Sequence, residues 1–211
     1  MTKSERKIAD GHLLPTAGAE RRRVADRLSR TARRLFYERG IRAVGVEEIV
    51  AEAGVTKPSL YRSFSSKDAL VADCLQARFD RIMRWWDDLE ARLPGDPLGQ
   101  LRTLIAEVAD DASAPFHRGC ALTNAAVEFP EPGHPARMIA EAYKHAMRAR
   151  LMALVEQLPV ARPALLADGL ILLFEGARAT RHTSGTHGPV ASMQGVADAL
   201  LDAFLPADEF G

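Results

Sequence analysis

Cysteine is scarce. The 211 residues hold only Cys74 and Cys120, too few for a disulfide framework and without metal-ligand spacing, so both read as small buried hydrophobes, with redox sensing the lesser alternative. Long apolar runs are missing too. No window approaches the roughly eighteen apolar residues of a membrane span, and the opening "MTKSERKIADGHLLPTAGAE" lacks the apolar core of a secretory signal. The expected location is the cytoplasm, with no membrane partner. No Gly-rich phosphate loop, nucleophile elbow or metal-spaced His/Cys cluster occurs. Glu128, Arg178 and the six histidines fall in no pattern that commits to a metal or a catalytic triad. The expectation is therefore no enzyme, no catalytic residue, no metal and no cofactor. β-alternation and internal repeats are also lacking, which leaves helices.

Net charge is absent only in sum. Residues 1–67 carry 15 Lys or Arg against 8 Asp or Glu, a surplus of +7, and residues 68–211 carry 13 against 20, a deficit of −7. A basic segment joined to an acidic remainder suggests that one end meets a polyanion, because cations displace the counterions condensed on phosphates.

The apolar spacing predicts an all-α chain of about nine helices. Residues 1–20 mix Gly, Pro and charge without period and are expected to form a flexible arm carrying Lys3, Arg6 and Lys7. From Arg21, the residues Val24, Leu28, Ala32, Leu35 and Phe36 recur at three and four, and Gly40 stands at the expected C-terminal cap. Val46, Ile49, Val50 and Ala53 mark a second helix, Gly54 a tight turn, and Thr56 the cap of a third helix that holds Pro58 in its first turn. Ser65 with Asp68 is expected to cap a long fourth helix that runs to "PGDP". Further helices are expected near 98–111, 118–128, 135–157, 163–183 and 189–204. The domain division that follows is 1–20 arm, 21–67 helix-turn-helix and 68–211 helical remainder.

In a helix-turn-helix the second helix enters the major groove. Leu60 and Phe64 face inward in "TKPSLYRSF", which leaves Lys57, Ser59, Tyr61 and Arg62 outward, with Thr56 at the helix start. Arg62 suits a guanine edge, Lys57 and Lys67 suit phosphates, and the Tyr61 hydroxyl suits a phosphate oxygen. The expected partner is a double-stranded DNA operator.

The stretch "GIRAVGVEEIVAEAGVTKPSLYRSFSSKDAL" resembles the DNA-binding signature of the tetracycline-repressor (TetR) family through Gly40, Ile49, Ala53 to Val55, Leu60, Tyr61, Phe64, Ser66 and Lys67. The likeness runs from about Arg21 to Leu75. It implies that helices one to three bind DNA, that helices four to eight enclose a small ligand, and that the last two meet a second subunit. It also implies phosphate contact by Tyr61 and Lys67. Val44, where many relatives have Thr, and Val50, where Ala is frequent, depart from the pattern.

Beyond the signature, "FHRGCALTNAAVEF" sets Cys120, Thr123, Asn124 and Val127 on neighbouring turns, polar groups beside an apolar wall, as a ligand cavity would. Met83, Trp86, Tyr143, Met147 and Phe174 are candidates for its other walls; plain core packing, with Asn124 bonded to backbone, is the alternative. Gly169, Leu173, Gly176 and Thr180 form a small-residue face on helix eight, and Met193, Val196, Leu200 and Phe204 an apolar face on helix nine. Paired across a two-fold axis they make a homodimer; covered within one subunit they make core. The expected function is a regulator, a repressor released from its near-palindromic operator by a small apolar or aromatic effector. An architectural DNA binder without effector is the alternative, and an enzyme docked to nucleic acid a weaker one.

Overall fold

The computed structural model describes residues 17–115 and 117–206. Nine α-helices and one short 3₁₀ segment, with no strand, make up the regular structure of these described residues. Lys3, Arg6, Lys7 and the rest of the expected arm up to Thr16 lie outside them, whereas its last four residues, 17–20, are already helical.

Helix α1 (Ala17–Arg39) buries Leu28, Ala32 and Leu35 completely and Phe36 nearly so. Gly40 ends it at φ 91°, a conformation costly for any residue with a Cβ, and its N–H donates to the Phe36 carbonyl at 3.0 Å. In α2 (Val46–Ala53), Ile49, Val50 and Ala53 face inward; Gly45 precedes the helix and supplies no side-chain cap. Val44 and Val50, the two departures from the family pattern, are both buried in this core. Gly54 takes φ 62° and turns the chain into α3 (Lys57–Ser63), where the Thr56 side chain accepts from the Ser59 N–H.

α4 (Lys67–Arg92) is capped by Ser66, whose Oγ accepts the Ala69 N–H at 3.0 Å. The expected Ser65 is instead exposed, one residue too early for its oxygen to meet the third helical amide. Three later helices, α5 (Pro97–Ser113), α7 (Pro135–Val155) and α8 (Pro163–Ser184), begin on proline, where a missing N–H costs no intrahelical bond. Between α5 and α7, α6 (Ala121–Glu128) starts three residues later than the spacing predicts, because Gly119 at φ 76° and extended Cys120 hold the chain out of helix. The final expected helix divides into a 3₁₀ segment, Pro189–Ser192, and α9 (Met193–Phe204).

Two apolar clusters hold these helices together, and they do not divide at residue 67. The first joins α1, α2 and Leu60 of α3 to the start of α4, to α6 and to the first half of α7 through Leu70, Val71, Leu122, Ala125 and Tyr143. The second lies among the end of α4, α5, the end of α7, α8 and α9. Ile82 and Met147 touch both. α6 therefore packs with α1–α3, the head of the molecule, although nearly sixty residues separate it from α3 in sequence.

Candidate nucleic-acid interface and effector cavity

Leu60 is fully buried and fastens α3 to the head, a burial worth about 1.5–3 kcal/mol. With that side pinned, Thr56, Lys57, Tyr61 and Arg62 stand exposed, Tyr61 at 47%. Thr56 and Ser59 share a hydroxyl bond at 2.9 Å, and Arg62 Nη2 donates to Ser59 Oγ at 2.7 Å, so the guanidinium is held along the helix face. Lys57 Nζ meets Glu47 Oε1 at 2.5 Å; that bond raises the lysine above its ordinary pKa and lowers the glutamate. Lys67 is partly buried and donates to the Ile41 carbonyl at 2.7 Å, and burial lowers its ammonium below the ordinary lysine value.

Sequence spacing overlooks how the head is fastened to the rest. Glu128, the last residue of α6, accepts the Ile41 N–H at 3.0 Å and the Arg42 N–H at 2.8 Å, one on each carboxylate oxygen. Arg42 answers with its Nε on the Glu128 carbonyl at 2.7 Å and lies over the Phe129 ring at 5.0 Å. A carboxylate at a helix C-terminus opposes the helix dipole, a small cost that these outside donors offset. Tyr37 adds a second tie between α1 and the segment before α6: its hydroxyl accepts the Arg118 N–H at 2.8 Å and donates to the Gly119 carbonyl at 3.3 Å.

Behind this clasp lies a cavity of about 1260 Å³ at the seam between the two apolar clusters. Trp86, Cys120, Asn124, Tyr143 and Met147 line it, and Val127, 76% exposed, stands on its rim. Trp86 Nε1–H donates to Met147 Sδ at 3.2 Å, and burial pushes the Tyr143 hydroxyl pKa up. Asn124 Nδ2 donates to the Arg118 carbonyl at 2.7 Å. Three of the expected residues do not reach the wall. Met83 follows Ile82 by one position and is turned roughly 100° from the face that Ile82 and Trp86 share, packing into the second cluster. Phe174 is buried in that cluster, and Thr123 turns to α8, where its hydroxyl donates to Glu175 Oε2 at 3.1 Å. Cys74 also touches the cavity; burial raises its thiol to about 12.

At the far end, Met193 is buried in its own chain, and Leu200 packs so closely over Gly169 that a Cβ there would lie 3.3 Å from its methyl. Leu173 and Phe204 are partly buried against the same cluster, and Thr180 bonds back to the Gly176 carbonyl at 2.8 Å. These residues serve the subunit first. What remains outward is Gly176, open on its free side, and Val196 at 50% exposure, joined by two residues that the spacing overlooks, Leu165 at 50% and Leu172 at 74%. "LLADGLILLF" is apolar but for Asp168 and Gly169, so no period singles out its outward face.

Among the described residues no helix is long and apolar enough to cross a membrane, and no group of three or more His, Cys, Asp or Glu could hold a metal ion. Residues 28–74 match the family of bacterial regulatory proteins named for tetR. A TetR-family transcriptional regulator of Streptomyces coelicolor is 29% identical, with a TM-score of 0.81 over 87% of this chain and 96% of its own. A putative tetR transcriptional regulator of Streptomyces avermitilis is 30% identical over 86% of this chain and 97% of its own, with a TM-score of 0.69. The transcriptional repressor DhaR of Mycobacterium sp. strain GP1 is 26% identical over 83% of this chain and 89% of its own. The first curated relatives that the chain matches are covered over only 25% to 37% of their length. With the head, the helical body and whole-length likeness in agreement, this chain belongs to the tetR family and is an all-α transcriptional regulator.

Proposed function

We propose that the chain is a cytoplasmic repressor that binds a near-palindromic operator as a homodimer and is released by a small effector with an apolar or aromatic body. The observation that carries this reading is the double duty of α6: Asn124 and Val127 border the cavity, while Glu128, on the same helix, grips the amides of the α1–α2 turn. An effector that shifts α6 shifts the head with it. Thr56, Lys57, Ser59, Tyr61 and Arg62 are the proposed groove face, with Lys67 behind them. Leu165, Leu172, Gly176 and Val196 are the proposed contact with the second subunit. In such a dimer the two recognition helices must match half-sites roughly 34–36 Å apart, and a few ångströms of added spread cost one head its contacts. Taking the protein from mostly bound to mostly free requires several kcal/mol of preference for the released form, within reach of an apolar cavity with polar anchors. Repression is favoured over activation by the likeness to DhaR, a repressor matched over most of its length.

Selection of DNA from a random-sequence duplex pool tests the reading. The expected product is a near-palindrome with half-sites about one helical turn apart. A pool that is retained at low salt without any sequence enrichment would instead favour an architectural DNA binder.

A further inference from the structure

The cavity is more basic than an apolar guest requires. Seven arginines line it against three carboxylates. Glu128 is held by the amides of Ile41 and Arg42 and Glu107 faces Arg92 at 3.6 Å, outside the cavity, while Asp111 offsets Arg178, one of the seven, and faces His117, at 3.8 Å each. Arg33, Arg78 and Arg81 have no carboxylate partner among the described residues; Arg33 Nε reaches only the Ser29 carbonyl, at 3.2 Å. Arg33 comes from α1, and Arg78 with Arg81 from successive turns of α4, so like charges converge where the reading head joins the body. Arg33 and Arg81 are exposed and Arg78 half-buried; partial desolvation, followed by the charges of Arg78 and Arg33, lowers the Arg81 pKa in spite of the opposing charge of Asp111. Concentrated positive charge at the edge of an apolar hollow draws an anion, and a guanidinium fork fits a carboxylate in two-point fashion. Inward from these arginines the wall turns apolar at Trp86, Leu104 and Met147.

We propose that the effector is an amphipathic carboxylate whose apolar body lies against Trp86, Leu104 and Met147 and whose head is held by Arg33, Arg78 and Arg81. The inference rests on the reading of the cavity as the effector site and adds the charge of the ligand. It also supplies a link to the head: a carboxylate that bridges Arg33 and Arg78 ties α1 to α4, and its arrival relieves repulsion in one arrangement of that joint.

The only two tryptophans, Trp85 and Trp86, both line the cavity, so their emission reports its occupancy in the full-length protein. Dodecanoate, 1-dodecanol and dodecyltrimethylammonium, each titrated below its micelle threshold, share one tail and differ in head charge. Dodecanoate is expected to change the emission saturably and to bind at least about tenfold more tightly than the other two, since a hydrogen bond to a charged group is worth about that factor or more. Arg78→Gln alone and Arg33→Gln with Arg81→Gln are each expected to weaken dodecanoate about tenfold, again the loss of a charged hydrogen bond. Both are expected to leave 1-dodecanol binding unchanged, which also verifies an intact cavity. Equal affinity for the acid and the alcohol, or variants that weaken both alike, would overturn the carboxylate and leave the effector reading standing. Binding by none of the three probes overturns both.

Discussion

On the surface of α3, the side chains differ in what each must give up to meet DNA. Tyr61 is half exposed and hydroxyl-bearing, whereas Lys57 must exchange Glu47 for a phosphate, and Lys67 already serves the Ile41 carbonyl. Lys67→Ala is therefore a poor probe of DNA contact, because it also strips a carbonyl of its donor and removes packing beside Phe36. Tyr61→Phe and Lys57→Ala separate the effects. Tyr61→Phe is expected to weaken operator binding several-fold with an unchanged melting temperature and an unchanged salt slope, since a neutral donor releases no counterion. Lys57→Ala is expected to flatten the slope of log K against log salt by about 0.9. Binding isotherms at low and high salt check both, and wild-type behaviour of both variants would move the docking face off α3.

Between elements, Glu128 is a two-point tie, its two oxygens meeting the two amides of the α1–α2 turn. Charge-assisted bonds of this kind contribute about 1.5–3 kcal/mol, and leaving an amide without a partner costs a similar amount. Glu128→Gln keeps one acceptor and turns an amino group toward the other N–H. The expected result is a melting temperature a few degrees lower, in keeping with about 1–3 kcal/mol in a chain of this size, and faster hydrogen exchange at Ile41 and Arg42. Amides that stay as protected as in the parent would show that the carboxylate is not the fastening. The helices themselves are legible in the sequence because buried faces repeat at three and four residues and because Pro97, Pro135 and Pro163 mark helix starts. Glu128 is not, because its partners are backbone groups 86 and 87 residues away, and backbone amides carry no sequence signature. The cavity is half legible for a related reason. Asn124 and Ile82 reach its wall, but Thr123 and Met83, each next to one of them in sequence, point elsewhere, and only the tertiary rotation of α6 and α4 decides which of two adjacent residues faces in.

For the whole molecule, assembly depends on which apolar residues one chain leaves uncovered. Leu200, chosen from its spacing, already packs on Gly169, so Leu200→Asp would damage the subunit itself. Leu172, 74% exposed, offers a cleaner test: Leu172→Asp is expected to preserve the fold and to yield monomers, because pairing would bury an unpaired charge. Gly176→Leu, at an open position, is expected to do the same by steric exclusion. Sedimentation at micromolar concentration decides, and dimers persisting in both variants would place the contact elsewhere. The Glu128 clasp has a consequence at this scale. Since the Glu128 carboxylate meets main-chain N–H groups at Ile41 and Arg42, that half of the socket belongs to the shape of the turn, and the Arg42 guanidinium on the Glu128 carbonyl is the one side chain the turn must add. A transplanted head of different DNA preference, bent the same way after its first helix, would present the same two amides, and the body's signal would reach it through a joint that makes the two halves interchangeable parts.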